Sequence, residues 1–137
     1  MSHTVFQVQF NEDGSVTCLA RLMAEVASGS ALPGMGYWCE GADFTSITCK
    51  VLDVTNENAE ITPAPTVTVG TAVIDTPVTD GILWDKDSIG YKFKHRVLGT
   101  YFPEGGKRYL VAYFATMTDG ETYGWSYEGV ARPRAGG

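Results

Sequence analysis

No stretch of this chain approaches the ~18 consecutive apolar residues that a bilayer-spanning helix needs, so the sequence is not expected to cross or sit in a membrane. Met1, Ser2, His3 and Thr4 do not form a basic start leading into an apolar run, so no secretion signal is expected. Cysteine is scarce and odd in number: Cys18, Cys39 and Cys49. There is no C-x-x-C pair, and neither His3 nor His95 lies at metal-motif spacing from a cysteine. Zinc and other cofactors are therefore not expected, and an odd thiol count points to a reducing compartment. Basic residues are the minority, 10 against 16 acidic, for a net charge of −6. A nucleic-acid binder would carry a basic stripe, so no nucleic-acid partner is expected. The segment Pro103-Glu104-Gly105-Gly106-Lys107 has no following Ser or Thr and leads into a strand pattern, which excludes a phosphate-binding loop.

What is present is 137 residues, 44 % of them apolar and 19 % charged, which excludes a disordered tail and suits one folded domain. Glycine is plentiful, at 16 residues, and falls between short alternating segments, the all-β pattern. Residues 5–10 put Phe6, Val8 and Phe10 on one face, and Asn11 to Ser15 make a turn. Residues 16–26 alternate as Val16, Cys18, Ala20, Leu22, Ala24 and Val26, although Leu19, Leu22, Met23 and Val26 also satisfy helical spacing. A strand is expected there, since its neighbours are strand-like. Residues 28–43 read as a long connection carrying Tyr37 and Trp38, and residues 46–54 as a strand. A polar loop at 55–65 leads to two short strands at 66–69 and 71–78, or one interrupted strand, then a loop at 79–88 around Trp84.

Residues 90–98 alternate cleanly, with Tyr91, Phe93, His95 and Val97 against Lys92, Lys94 and Arg96. Residues 108–117 are apolar on both faces, which predicts a central strand covered on both sides. Asp119-Gly120 is the strongest hairpin signal, and residues 122–130 return from it. These segments predict an all-β, immunoglobulin-like antiparallel β-sandwich of seven to eight strands, one domain over residues 1–133 with a flexible tail at 134–137. The inter-sheet disulfide of antibody domains has no cysteine in residues 108–117 to use. Cys18 and Cys49 fall on strands that can bring them close.

Catalytic constellations are thin. His95 shares its face with aromatic and aliphatic residues, which suits packing better than base chemistry. Asp85 and Asp87 beside Trp84 read as a turn in preference to a carboxylate pair. No catalytic or metal residues are assigned, and no enzymatic activity is expected. Lys92, Lys94 and Arg96 form a candidate interaction ridge; the same cations also suit edge protection. Trp38, Trp84, Tyr123, Trp125 and Tyr127 are candidate ligand-stacking aromatics for sugars or bases.

Three stretches carry a likeness: Ala42-Asp43-Phe44-Thr45-Ser46-Ile47, Leu83-Trp84-Asp85-Lys86-Asp87-Ser88-Ile89-Gly90-Tyr91-Lys92-Phe93, and Phe102-Pro103-Glu104-Gly105-Gly106-Lys107-Arg108-Tyr109. Over roughly residues 1–133 the order resembles bacteriophage and prophage proteins with immunoglobulin-like sandwich domains, of the baseplate and tail-associated type. The resemblance implies a non-enzymatic structural or interaction module of a virion. Its partners would be other virion subunits or further copies of itself, and it would be made in the bacterial cytoplasm. It brings no catalytic residues. The alternative is a carbohydrate-binding module using the exposed Trp and Tyr residues.

Overall fold

The computed structural model describes residues 3–21, 23–24, 31–32, 36–78 and 91–133. Trp84, the loop expected at 79–88 and the tail expected at 134–137 lie outside these residues.

The described residues are mostly strand: β1 (His3–Gln7), β2 (Phe10–Asn11), β3 (Val16–Ala20), β4 (Met23–Ala24), β5 (Ala31–Leu32), β6 (Gly36–Trp38), β7 (Phe44–Asp53), β8 (Ala59–Glu60), β9 (Val73–Val78), β10 (Tyr91–Val97), β11 (Arg108–Met117) and β12 (Thr122–Arg132). Among the described residues one short α-helix, α1 (Val69–Ala72), precedes β9. The large sheet runs β1-β12-β11-β7-β8, with β2 also on β12; a second sheet runs β3-β10-β9, and β4-β6-β5 form a small third. The first two face each other as a sandwich, as alternating strands with one apolar side require. Their shared core is aromatic. Phe93 of β10 meets Tyr113 of β11 (centroids 4.9 Å) and Trp125 of β12 (5.1 Å) edge-on, and Tyr113 stacks on Trp125 at 5.6 Å. The Tyr127 hydroxyl crosses the layer to donate to the Leu19 carbonyl at 2.6 Å.

The hairpin β11–β12 forms where Asp119-Gly120 predicts it. Gly120 takes φ 92°, the left-handed region that glycine tolerates, and the Asp119 side chain accepts from the Glu121 N–H at 2.9 Å. β11 is central, paired to β12 on one side and β7 on the other. Its start is pinned by Tyr109. That buried phenol accepts from the Glu104 N–H at 3.1 Å and donates to the Glu104 carbonyl at 3.3 Å, closing the turn into the strand. Tyr109→Phe strands a backbone N–H at the turn and is expected to cost about 1–2 kcal/mol in denaturant unfolding; unchanged stability would deny the phenol this role.

Four expectations are corrected. The sandwich is not antiparallel throughout: β1 pairs β12 in parallel, from His3↔Gly124 to Gln7↔Glu128. Hydrophobic alternation sets which face is buried and is blind to strand direction. The expected strand at 5–10 breaks at residues 8–9, where the Gln9 side-chain amide bonds the Phe10 and Val130 carbonyls. The expected strand at 16–26 ends at Ala20, and Met23–Ala24 pairs with β6 in the third sheet. Neither pairing is helical. Residues 66–69 are not a strand: the Thr71 and Ala72 amides both bond the Thr68 carbonyl, making α1. The chain must pass from β8 in one layer to β9 in the other there, and a helical turn makes the crossing without an exposed ladder.

Candidate functional site

The basic ridge is broken by burial. Lys94 and Arg96 are exposed, and Arg96 donates to the Ser15 hydroxyl at 3.1 Å. Lys92 is not exposed: its side chain retains 5 % of its accessible surface and its ammonium lies 2.8 Å from the Glu40 carboxylate. The pairing of β10 with β9 shifts register between Tyr91 and Phe93, so clean alternation ends at this residue. Glu40 is held by its own turn, its backbone N–H bonded to the Asp43 carboxylate at 2.7 Å. A three-cation ridge is thereby corrected to two cations.

The aromatic set is also redistributed. Trp125 (5 % exposed) and Tyr127 (1 %) are core residues, and Tyr123 is half-buried against the same core. This corrects the reading of β12 as a stacking platform. Its alternate residues face the second sheet because β12 is an interior strand of the large one, flanked by β1 and β11. Trp38 lies in β6, opposite Met23.

His95 joins a polar network inside the sandwich. Its Nδ1 lies 2.7 Å from the Tyr113 hydroxyl and its Nε2 3.0 Å from the Thr66 carbonyl. A carbonyl can only accept, so Nε2 carries the proton and Nδ1 accepts from Tyr113. The same phenol is within hydrogen-bonding reach of the Cys18 and Cys49 thiols, one from each layer, so the expected nearness of these cysteines is met through Tyr113. Burial pushes both thiols up to about 12, and burial pushes the Tyr113 phenol far above its ordinary range. Cys39 is likewise pushed up to about 12, by burial first and then by Asp43 and Glu40. Thiols so raised are protonated at neutral pH and are weak nucleophiles. Among the described residues no three His, Cys, Asp or Glu side chains cluster in a way that would hold a metal ion, and no helix is long and apolar enough to cross a membrane.

The surface feature that stands out is the outer face of the large sheet. Cross-strand rows are fixed by the pairing: Thr48–Phe114–Gly124, then Lys50–Ala112–Ser126–Val5, then Leu52–Leu110–Glu128–Gln7. Phe114 is 44 % exposed and Val5 48 %. Beside Phe114 lies a hollow of about 330 Å³ lined by Thr48, Lys50, Ala112, Tyr113 and Gly124, where small residues on β11 and β12 leave space between larger neighbours. At one end Arg108 pairs with Glu128 at 3.1 Å.

None of these outer-face residues was singled out as a site by the sequence, although the signal was there. Residues 108–117 are apolar on both faces, which predicts cover on both sides. The structure covers the inner side with the second sheet and leaves Phe114 open on the other.

No protein-family model, curated protein or solved structure matches this chain.

Proposed function

We propose that the chain is an interaction module that docks further copies of itself through the outer face of its large sheet. The observation that carries this reading is the exposed Phe114 next to a hollow of about 330 Å³ on a face that is apolar in the middle. Phe114 is continuous with Ala112, Leu110, Leu52 and Val5 on the same face, and contiguous apolar surface of this kind marks contact sites.

The face suits a second copy because it is charged oppositely at its two flanks. Lys50 stands on β7 and Glu128 on β12, one cross-strand row apart. A two-fold axis along β11 lays β7 of one copy over β12 of the other. Each Lys50 then stands about 7 Å, one row, from the opposing Glu128, within reach of a lysine stem. Phe114, near the axis, faces the Phe114 of its mate, and the two rings lie beside the hollows. The arrangement is self-complementary, as a two-fold contact must be. It also gathers Lys50 and Arg108 into the contact of a chain whose net charge of −6 would otherwise repel its twin.

The patch is small. Four strands at about 4.8 Å and about seven residues at 3.3 Å give roughly 450 Å², below the ~800 Å² per partner of a stable complex. Such a contact is weak alone and gains strength when many copies are held together. That behaviour fits a component of a larger particle, and the resemblance to tail-associated phage modules is the ground for naming a virion. An immunoglobulin-like topology belongs to the same proposal. It is supported by a β3-β10-β9 sheet facing β12-β11-β7, and by Tyr109 closing the turn at the start of β11.

Sedimentation of the whole chain tests the reading. Wild type is expected to self-associate weakly as concentration rises. Phe114→Glu is expected to weaken that association by about tenfold or more, since it buries a charge against its twin, with its melting temperature within about 2 °C because the residue is exposed. A wild type that stays monomeric at every concentration, or a Phe114→Glu chain that associates as before, overturns it.

A further inference from the structure

β1 is an edge of the large sheet. It pairs with β12 on one side and, among the described residues, with no strand on the other. Its register, with the bond from the Val8 N–H to the Glu128 carbonyl, fixes which backbone groups face which way. Backbone direction alternates along a strand, so Thr4, Phe6 and Val8 turn their N–H and C=O toward β12. His3, Val5 and Gln7 turn theirs outward, and among the described residues those groups have no partner.

Such an edge is a template for another chain, and folded proteins blunt it with charge, proline, brevity or cover. The other described sheet edges are blunted in these ways. β8 is two residues long and ends on the exposed Glu60. β9 contains Asp75 and Pro77, and β3 is buried at four of its five residues. β4 and β5 have two residues each. β1 runs for five residues, His3 to Gln7, with no Lys, Arg, Asp, Glu, Pro or Gly, and its Val5 and Gln7 are exposed.

We infer that β1 is a second self-association site, separate from the outer face: two copies join edge to edge, their β1 strands antiparallel about a two-fold axis at Val5, so that the large sheet runs from one copy into the other. The register selects a second copy as the occupant. With Val5 on the axis, it stands opposite Val5 of the mate, and His3 stands opposite Gln7. Hydrogen-bonded positions recur every second residue in an antiparallel pair, so His3, Val5 and Gln7 all fall on them. Each outward N–H then meets an outward C=O, and one axis satisfies the whole edge. β1 brings no acidic residue to the seam, so the net charge of −6 is not concentrated there. Apolar surface closes on both sides of the sheet. The Val5 side chains, each 48 % exposed, become neighbours on the outer face, and the partly buried Phe6 gains cover at the margin of the core. The pairing is weak beside the outer-face contact, since its groups exchange bonds to water for bonds to each other. β1 is already held straight by β12, so it loses little further freedom on pairing.

Residue-by-residue hydrogen exchange of the full chain at several concentrations tests this. The Val5 and Gln7 amides are expected to exchange fast in dilute solution and to slow about twofold or more between micromolar and millimolar protein, the change that pairing half the copies gives. The Phe6 amide, facing β12, should be slow throughout. The same slowing is expected in Phe114→Glu, which separates the edge from the outer face. Val5→Pro removes an outward N–H and no bond to β12, and should abolish the slowing at Gln7 while Phe6 stays protected. Val5→Lys keeps every N–H and sets like charges across the axis, and is a second variant expected to do the same. Val5 and Gln7 amides that exchange fast at every concentration, or slowly at every concentration, overturn the edge site, as does slowing that is lost in Phe114→Glu or kept in both Val5 variants.

Discussion

Gly129→Ala is expected to destabilise the fold by about 3–4 kcal/mol and to free the N-terminal strand. A methyl at this position of β12 would stand 1.9 Å from the Val8 carbonyl oxygen and 2.9 Å from its carbon. Both are backbone atoms, so no rotamer change relieves the overlap. The parallel partner must move away, and with it the bond from the Val8 N–H to the Glu128 carbonyl at 2.9 Å. Phe10 would lose its place against Phe102, where the rings stack at 4.5 Å, and Phe6 its place against Tyr127 at 5.2 Å. Gly70→Ala is the control. An added carbon there meets nothing within 4 Å, and alanine suits a helical turn better than glycine, so stability should hold or rise by about 0.5 kcal/mol. Denaturant midpoints of the two variants against wild type measure the difference. A Gly129→Ala chain of wild-type stability would mean that β1 does not run beside β12.

Trp125→Ala is expected to cost about 3–5 kcal/mol, the range for removing a large buried aromatic. The indole is stacked on Tyr113 and meets Phe93 edge-on, so its loss opens a cavity where the two sheets touch. Trp125→Phe should be far milder, about 1 kcal/mol or less. The indole Nε1 is buried and has no hydrogen-bond partner among the described residues, so phenylalanine also removes a polar group that gains nothing from burial. Thermal unfolding of both variants reads this contrast. It also separates two roles for β12: a residue that stacks on sugars would lose binding on truncation and leave stability nearly intact. Equal, small effects from both variants would move Trp125 out of the core.

How much of this was legible in the sequence depends on the range of the interaction. The alternation of 108–117 and 122–130 with Asp119-Gly120 between them gives β11, its hairpin and β12, because a tight turn and a two-residue period are local properties. β7 and β10 were legible for the same reason, to within two residues at each end. The α1 turn was not, since Thr66 to Val78 alternates well enough for a strand, and what bends it is the need to change layers. The candidate site was half legible. Leu110, Ala112 and Phe114 form a second apolar face, but no local rule says whether such a face is covered.

Lys92 illustrates the remaining gap. Its place in an alternating strand assigns it to the side of Lys94 and Arg96, and strand periodicity carries no information about a carboxylate 52 residues away. Glu40 reaches it because a short turn fixed by Asp43 is brought to that end of the sandwich. The same holds for the network at His95, which needs Cys18, Cys49, Thr66 and Tyr113 from four separate parts of the chain.

Side-chain alternation and turn chemistry, both acting over a few residues, were enough by themselves to make this an all-β chain with a central β11 and a β11–β12 hairpin. Tertiary structure alone decided the parallel seat of β1, the burial of Lys92 and Trp125, the tie between His95 and Thr66, and the open outer face around Phe114. These depend on which strands become neighbours, and strand neighbours are chosen by how the two layers close over one shared core.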